Sequence, residues 1–106
     1  MDLTAQLPEI TRRIVRTSNP DKIILFGSYA RGKFSADSDL DLLIIVPNIE
    51  HTRQESIRVR RALRGLLVPV DIVIATPEQI DRLGNVAGLV YQSALSEGKV
   101  LYERTR

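Results

Sequence analysis

The sequence contains no cysteine among its 106 residues. Disulfide bridges and thiolate metal sites are therefore excluded, and a reducing compartment is consistent with this composition. The N-terminal stretch MDLTAQLPEITRR lacks the apolar core of a signal peptide. No apolar run approaches the ~18 residues that a membrane span needs. Together these absences predict a cytoplasmic protein with no membrane partner.

An excess of charge of one sign is also missing. The formal net charge is +2, which is too small to argue for a nucleic-acid partner by itself. Two segments with helical patterns nevertheless hold eight arginines, namely Arg12, Arg13, Arg16, Arg53, Arg58, Arg60, Arg61 and Arg64. Either these arginines cover solvated helix faces, or one of the faces meets an acidic partner or a phosphate.

The length and composition predict one domain, residues 1–106, with one modest core. Alternating strand and helix patterns predict an α/β (α+β) fold, a small mixed sheet with helices packed against it. Thr76 and Gln79 form a capping box that starts a short helix, and Gly98 is the expected end of the last one. The predicted helices are otherwise 3–18, 50–67 and 88–97, and the predicted strands are 22–26, 39–46, 68–75 and 100–103.

The stretch GSYARGK follows the first predicted strand and has two phosphate-binding interpretations. A P-loop, G-x-x-x-x-G-K-[ST], fits Gly27, Gly32 and Lys33 but requires Ser or Thr where Phe34 stands. A P-loop also opens into a long helix, whereas the turn-rich FSADSDLD follows here. The other interpretation is a short helical turn beginning at Ser28, with Gly27 letting the backbone approach a phosphate closely. Alone, Gly-Ser is equally compatible with a plain turn.

Two carboxylates stand at the start of the second predicted strand. Asp39 and Asp41 point to the same face because successive side chains of a strand alternate, although Asp39 alone also fits a turn cap. They repel each other unless a cation lies between them, and Mg²⁺ often takes one or two carboxylates plus substrate phosphates. Asp71 interrupts the apolar strand VPVDIVIA, where an unpaired carboxylate is unfavourable. If these two strands are neighbours, the three acids converge on one patch that can hold two metal ions.

This combination resembles a known signature. Gly27-Ser28, then ten residues, then Asp39-Leu40-Asp41 and a later strand aspartate at Asp71 are similar to the motif of the nucleotidyltransferase superfamily that includes DNA polymerase β. Within it, GSYARG and SDLDLLI resemble the minimal nucleotidyltransferases of bacteria and archaea. The resemblance extends over residues 5–103 and implies a polymerase β-like fold.

The resemblance also implies roles for the acidic residues. Asp39 and Asp41 would bind two Mg²⁺ ions. Asp71 would bind the catalytic ion and help to draw the proton from the acceptor hydroxyl. The reaction would be in-line attack on the α-phosphorus of a nucleoside triphosphate such as ATP, with release of pyrophosphate.

For the glycine loop, the resemblance implies contacts with the nucleotide. Gly27 and Ser28 would hold the β- and γ-phosphates, and Arg31 and Lys33 would contact the triphosphate.

The resemblance finally implies a partner. Minimal nucleotidyltransferases are commonly encoded beside a small helical HEPN protein, often an RNase toxin, and adenylylate one of its tyrosines as an antitoxin. We expect no direct nucleic-acid partner, and a homo- or hetero-oligomer is compatible with this biology. Apart from the resemblance, the chain holds the catalytic core but no extra domain for an acceptor, so the basic helix 50–67 is a candidate docking surface. Two alternatives stay open at this point: an antitoxin that neutralises its partner by binding alone, and a nucleotidyltransferase for an aminoglycoside-like small molecule.

Overall fold

A four-stranded mixed sheet organises the fold. A computed structural model describes residues 3–105, so that residues 1, 2 and 106 of the predicted domain lie outside it. The strand order is β3-β2-β1-β4, with β1 antiparallel to both β2 and β4, and β2 parallel to β3. The strands are β1 (Lys22–Phe26), β2 (Leu40–Ile45), β3 (Val70–Ala75) and β4 (Lys99–Glu103).

Helices cover both faces of this sheet. A 3-10 turn, Leu3–Gln6, precedes the five α-helices of the described residues, which are α1 (Leu7–Ser18), α2 (Gly27–Ala30), α3 (Thr52–Ala62), α4 (Pro77–Leu83) and α5 (Val90–Glu97). The predicted α/β architecture and its mixed sheet are thus confirmed. Within residues 3–105, none of the helices is both long and apolar enough to cross a membrane.

The core has two parts because strand side chains alternate between the faces. On what we call the α1–α3 face, the fully buried Ile10, Ile14 and Val59 of the helices pack against strand residues such as Leu42 and Ile44. The opposite, α4–α5 face has a smaller core, whose buried residues are Ile24, Phe26, Leu43, Ile45, Ala75 and Ala94.

The first helix follows its predicted pattern. Pro8 stands in the first turn of α1, where a missing N–H is tolerated, and the residues before it form the 3-10 turn. Asn19 ends the helix in the left-handed conformation, with φ +48° and its N–H donating to the Val15 carbonyl at 3.0 Å. The chain then passes through Pro20 and Asp21 into β1.

The second predicted long helix is shorter than expected. It was predicted over 50–67, but α3 ends at Ala62 and the chain turns through Gly65, whose φ is +93°. Of the apolar residues among the arginines of this segment, Leu63 is buried at 8 % exposure, whereas Ile57 and Leu67 are 44 % and 97 % exposed. The buried side of α3 instead carries Val59 and an acid, Glu55.

The hydrogen bonds of Glu55 explain why an acid can occupy that buried position. Its side chain is 6 % exposed and accepts a hydrogen bond from the Ser18 hydroxyl at the end of α1. Arg58, one turn further along α3, donates to the Glu55 carboxylate at 2.8 Å and to the Thr17 carbonyl at 2.9 Å. A buried carboxylate is tolerated when it is paired in this way. These contacts connect α1 and α3.

The remaining ends agree with the sequence within two residues. The capping box of Thr76 and Gln79 is formed, with hydrogen bonds of 2.9 and 3.2 Å. Gly98 ends α5 as predicted, but its φ of −76° is not left-handed. Glycine is needed there because a Cβ would lie 2.3 Å from the Ala94 carbonyl oxygen and 2.4 Å from Ile24 Cγ2.

Candidate active site

Three segments carrying the predicted site residues meet at one end of the sheet. Because β1 and β2 are antiparallel, the carboxyl end of β1 lies beside the start of β2, where Phe26 is paired with Asp41. Because β2 and β3 are parallel, Asp41 is directly opposite Asp71. The second and third strands are therefore neighbours, which is the condition under which the sequence brings these acids together.

The two paired aspartates lie on the α4–α5 face of the sheet. Leu40 and Leu42, on either side of Asp41, are fully buried on the opposite face. Asp41 and the preceding Asp39 are half-buried, and Asp71 on the edge strand is exposed. The site is therefore a group of partly exposed carboxylates at the end of the sheet where β2 and β3 begin.

The electrostatics of this site centre on Asp41. Burial raises the pKa of its carboxyl, and the negative charges of Asp71 and Asp39 raise the pKa further. A hydrogen bond between the Asp41 and Asp71 side chains acts in the same direction, while the nearby Arg31 lowers the pKa. Asp71 thus acts on Asp41 through contact and charge, whereas Asp39 acts through charge. A cation placed beside these carboxylates would favour their ionised form.

The acids do not form a complete metal-ligand shell by themselves. Among residues 3–105, no group of three or more His, Cys, Asp or Glu side chains is arranged to hold a metal ion. The closest association is the Asp41–Asp71 pair, and Asp39 stands at the end of the loop that enters β2. Mg²⁺ commonly completes its octahedron with water and substrate phosphates, so a two-carboxylate nucleus is a usual protein contribution.

Gly27 is required by the position of Asp41. Its φ is +74°, a left-handed conformation that other residues rarely adopt. A Cβ built on Gly27 would lie 2.1 Å from Asp41 Oδ2. The predicted close approach of the Gly27 backbone to a phosphate stays a prediction. Within the chain, the group that lies against Gly27 is the Asp41 carboxylate. The glycine loop and the acidic strand are therefore one packed unit.

The other predicted nucleotide contacts follow Gly27 around the loop. Ser28 is half-buried in the short helix α2, and the exposed Lys33 donates its backbone N–H to the Ser28 carbonyl at 2.9 Å. Arg31 is also exposed, and its Nη1 lies 3.5 Å from Oε2 of Glu97 in α5. Glu97 was missed by the sequence analysis because nothing in the local pattern connects two residues so far apart in the chain.

An aromatic pair fixes the base of this loop. Tyr29 is buried and stacks on the half-exposed Phe34, with ring centroids 4.2 Å apart and ring planes at 6°. The Tyr29 hydroxyl accepts the Leu3 N–H at 3.3 Å, which connects the loop to the N-terminal 3-10 turn. Phe34 stands where a P-loop would carry Ser or Thr, and its packing shows that this loop is built differently.

Comparison with known proteins identifies the family. Residues 6–101 match the nucleotidyltransferase domain family. The chain belongs to this family. The nucleotidyltransferase is 33 % identical over 81 residues to a protein of Methanocaldococcus jannaschii named "putative protein adenylyltransferase", covering 76 % of the chain and 77 % of that protein. A second protein of that organism with the same name is 40 % identical over 55 residues, covering 52 % of the chain and 54 % of the relative.

Solved structures agree with the fold of the nucleotidyltransferase. A crystal structure described as a "putative nucleotidyltransferase" from Sulfolobus solfataricus has a TM-score of 0.66 at 21 % identity, over 95 % of this chain and 83 % of that one. The toxin–antitoxin MntA-HpeT, crystallised with two aspartates replaced by glutamate, has a TM-score of 0.64 at 20 % identity, over 93 % and 74 %. A toxin–antitoxin structure with AMP-PNP has a TM-score of 0.63 at 21 % identity, over 92 % and 73 %. At these identities the agreement concerns the fold.

Proposed function

We propose that this nucleotidyltransferase transfers AMP from ATP to a tyrosine hydroxyl of a helical HEPN-type toxin and thereby acts as its antitoxin. The observation that carries the proposal is the pairing of Asp41 with Asp71 across β2 and β3, with Gly27 packed against Asp41. The names of the two relatives support protein adenylylation, and the toxin–antitoxin structures support a toxin partner. ATP as the donor implies a cytoplasmic reaction.

The carboxylates fit Mg²⁺ as the cofactor. Asp39, Asp41 and Asp71 offer hard oxygen donors, and the pKa of Asp41 is raised by burial and by the charges of its acidic neighbours, which a cation would offset. The paired Asp41 and Asp71, with Asp39 at the entrance to β2, would hold two Mg²⁺ ions together with the triphosphate. When bound, the ions neutralise charge on the phosphates and activate the attacking hydroxyl.

The loop residues would bind and orient the nucleotide. Gly27 and Ser28 would contact the β- and γ-phosphates beside Asp41, and Lys33 would add a positive charge from the exposed part of the loop. Arg31 is already close enough to influence the ionisation of Asp41, so it would reach the same phosphates. Its present partner, Glu97, is 53 % exposed at its side chain, and an exposed pair at 3.5 Å is weak enough to be exchanged for a phosphate.

The chemical step is a substitution at phosphorus. The tyrosine oxygen forms a bond to the α-phosphorus, and the bond from this phosphorus to the oxygen bridging to the β-phosphate breaks, so that the electron pair leaves with pyrophosphate. Asp71 would accept the proton of the tyrosine hydroxyl. It is the exposed member of the acidic pair and lies on an edge strand, where an acceptor from another protein can reach it.

The test is a transfer assay with mass measurement. The purified chain, Mg²⁺ and ATP are mixed with the helical protein encoded beside it, and the mass of that protein is measured. We expect an increase of one adenylyl group per modified tyrosine, and its loss in Asp41→Asn and Asp39→Asn, which keep side-chain size but remove charge. Conversion of the modified tyrosine to phenylalanine should also remove the increase.

The control distinguishes transfer from occlusion. If Asp41→Asn binds the toxin and neutralises it as well as the parent does, binding alone explains the antitoxin effect. The absence of any mass increase with the parent protein would contradict the proposal directly.

A further inference from the structure

The outer side of α3 carries a stripe of basic and apolar residues, and its arginines have no acidic partner within the described chain. Arg53, Ile57 and Arg60 follow one another at spacings of four and three residues, so they share one face of the helix. All three are exposed, and neither arginine has an ion pair or side-chain hydrogen bond with another residue of the described chain. By contrast, Arg58 and Arg13 are occupied by Glu55, Glu9 and backbone carbonyls.

A groove accompanies this stripe along the edge of the sheet. It has a volume of about 360 Å³, lies between α3 and β3, and contains no acidic residue in its lining of Thr52, Arg53, Ser56, Ile57, Arg60, Ile72 and Ile74. A second cavity of about 230 Å³ continues it through the shared Arg60 and Ile72 toward Leu63 and Val70. Isoleucine side chains thus form the floor, and arginines form the polar margin.

We propose that this groove is the docking site for the acceptor protein, which presents an apolar side chain between two acidic ones. The apolar side chain contacts Ile57, Ile72 and Ile74, and the two acids pair with Arg53 and Arg60. Seven residues of helix separate the two arginines by about 10 Å, so the partner's acids require a similar separation, such as positions i and i+7 of a helix. The inference rests on the proposed function because it assigns the surface that would hold the acceptor.

Charge complementarity selects this occupant over two others. A second copy of the chain would bring Arg53 and Arg60 of both copies toward each other across the edge strands, which is unfavourable. A nucleic acid would match the arginines but would leave the exposed Ile57 and the isoleucine floor without an apolar partner. An acidic and apolar protein segment satisfies both parts of the groove.

The groove also runs toward the carboxylate pair. It extends along β3 from Ile74 to Val70, and Asp71 lies between Ile72 and Val70 on the same strand. In the described chain β3 has β2 on one side only, and its other side is an open edge. Asp71 points to the opposite face, but because β3 is an edge strand, a partner held on the α1–α3 face only has to pass around β3 to reach it.

A charge-reversal experiment tests the docking site. Arg53→Glu combined with Arg60→Glu should weaken binding of the helical protein encoded beside the chain by at least about tenfold. The matched control is Arg16→Glu combined with Arg82→Glu, two exposed arginines on other elements that give the same change in net charge. Both double variants should keep the parent's melting temperature and its stabilisation by Mg²⁺-ATP.

The outcomes separate this inference from the proposed function. Equal binding of the partner by the Arg53/Arg60 variant and the control would overturn the docking site. It would also be overturned if the Arg53/Arg60 variant lost binding to a 20-nucleotide RNA probe but still bound the protein partner. Asp41→Asn should bind the partner like the parent while failing to transfer AMP, so a failure of catalysis leaves the docking result readable.

Crosslinking gives a second, independent readout. Because the chain has no cysteine, Ser56→Cys in the groove can be labelled uniquely with a photoreactive maleimide. It should crosslink to a partner peptide with acids flanking an apolar residue, whereas the exposed Ser96→Cys in α5 should not. Crosslinking from Ser96→Cys alone would refute the assignment.

Discussion

Replacing Gly27 by alanine separates the two reasons for a glycine at this position. Gly27 and Gly32 have nearly the same backbone, with φ +74° and +71°. A left-handed conformation costs a residue with a Cβ about 1–2 kcal/mol, so both Gly27→Ala and Gly32→Ala should lose this amount of stability. Gly32 has no atom within 4 Å of a built Cβ, whereas the Cβ at Gly27 lies 2.1 Å from Asp41 Oδ2.

The contact of the new Cβ with Asp41 should lower the stability only slightly but the transfer rate strongly. The atom in contact is the end of a side chain, so Asp41 can rotate away at the cost of one off-rotamer conformation, about 0.5–1.5 kcal/mol. The total for Gly27→Ala is then about 1.5–3.5 kcal/mol by addition of the two costs. The rotation removes the Asp41 carboxylate from its place opposite Asp71, and a misplacement of about 1 Å can lower a reaction rate ~100-fold.

Two measurements test this reasoning. Urea unfolding gives the stability of Gly27→Ala, Gly32→Ala and the remote Gly88→Ala, another left-handed glycine with open space around its Cβ position. Stabilisation by Mg²⁺-ATP and the transfer rate give the function, and both should fall for Gly27→Ala far more than for the two controls.

A mutant cycle locates the clash. In an Asp41→Ala background the Oδ2 contact is absent and only the Cβ of residue 41, at 3.3 Å, remains close, so Gly27→Ala should cost little more than Gly32→Ala costs. If Gly27→Ala transfers AMP at the rate of Gly32→Ala, the packing of Gly27 against Asp41 is not what the site depends on.

Three further predictions concern charge and linkage. Asp41→Asn should be more stable than the parent at neutral pH, because the pKa of Asp41 is raised in the folded state and its ionised carboxyl therefore destabilises the fold. The difference in stability should vanish as the pH falls below the ordinary pKa of 3.8, which unfolding at several pH values would reveal. Mg²⁺-ATP at 100 times its dissociation constant should add about 2.7 kcal/mol to the free energy of unfolding, and ATP with a chelator much less; equal effects would contradict a metal-assisted site. Ser18→Ala should cost about 1–3 kcal/mol in urea unfolding because the buried Glu55 loses a donor, and an unchanged midpoint would argue against that contact.

The sequence predicted best where a local pattern has one structural meaning. The apolar run KIILF lies between a turn and a glycine, and β1 has the predicted bounds. The capping box of Thr76 and Gln79 begins α4 because both hydrogen bonds are local. The segment between β2 and β3 is long enough for a parallel connection. The sequence alone does not show that these two strands pair, because strand pairing depends on non-local contacts.

The prediction was wrong where tertiary contacts decide. Helix 50–67 was extended too far because the apolar residues among its arginines were interpreted as a continuation of the helix, whereas α3 ends at Ala62 and the chain turns through Gly65. The buried position of α3 holds Glu55, which Ser18 and Arg58 stabilise. The packing of Gly27 on Asp41 requires the antiparallel register of β1 and β2, which no spacing rule supplies. The contact of Arg31 with Glu97 likewise requires α5 to lie beside α2. The metal, nucleotide and acceptor roles of the site residues stay predictions.

Strand β3 joins the two surfaces on which the proposals depend. Its alternating side chains place Asp71 on the α4–α5 face and Ile72 and Ile74 on the α1–α3 face. One edge strand thus contributes both to the carboxylate pair and to the apolar floor of the groove. A partner bound by the groove would press on the same backbone that positions Asp71. Binding of the acceptor would therefore be coupled, through β3, to the alignment of Asp71, the acid that would take its proton.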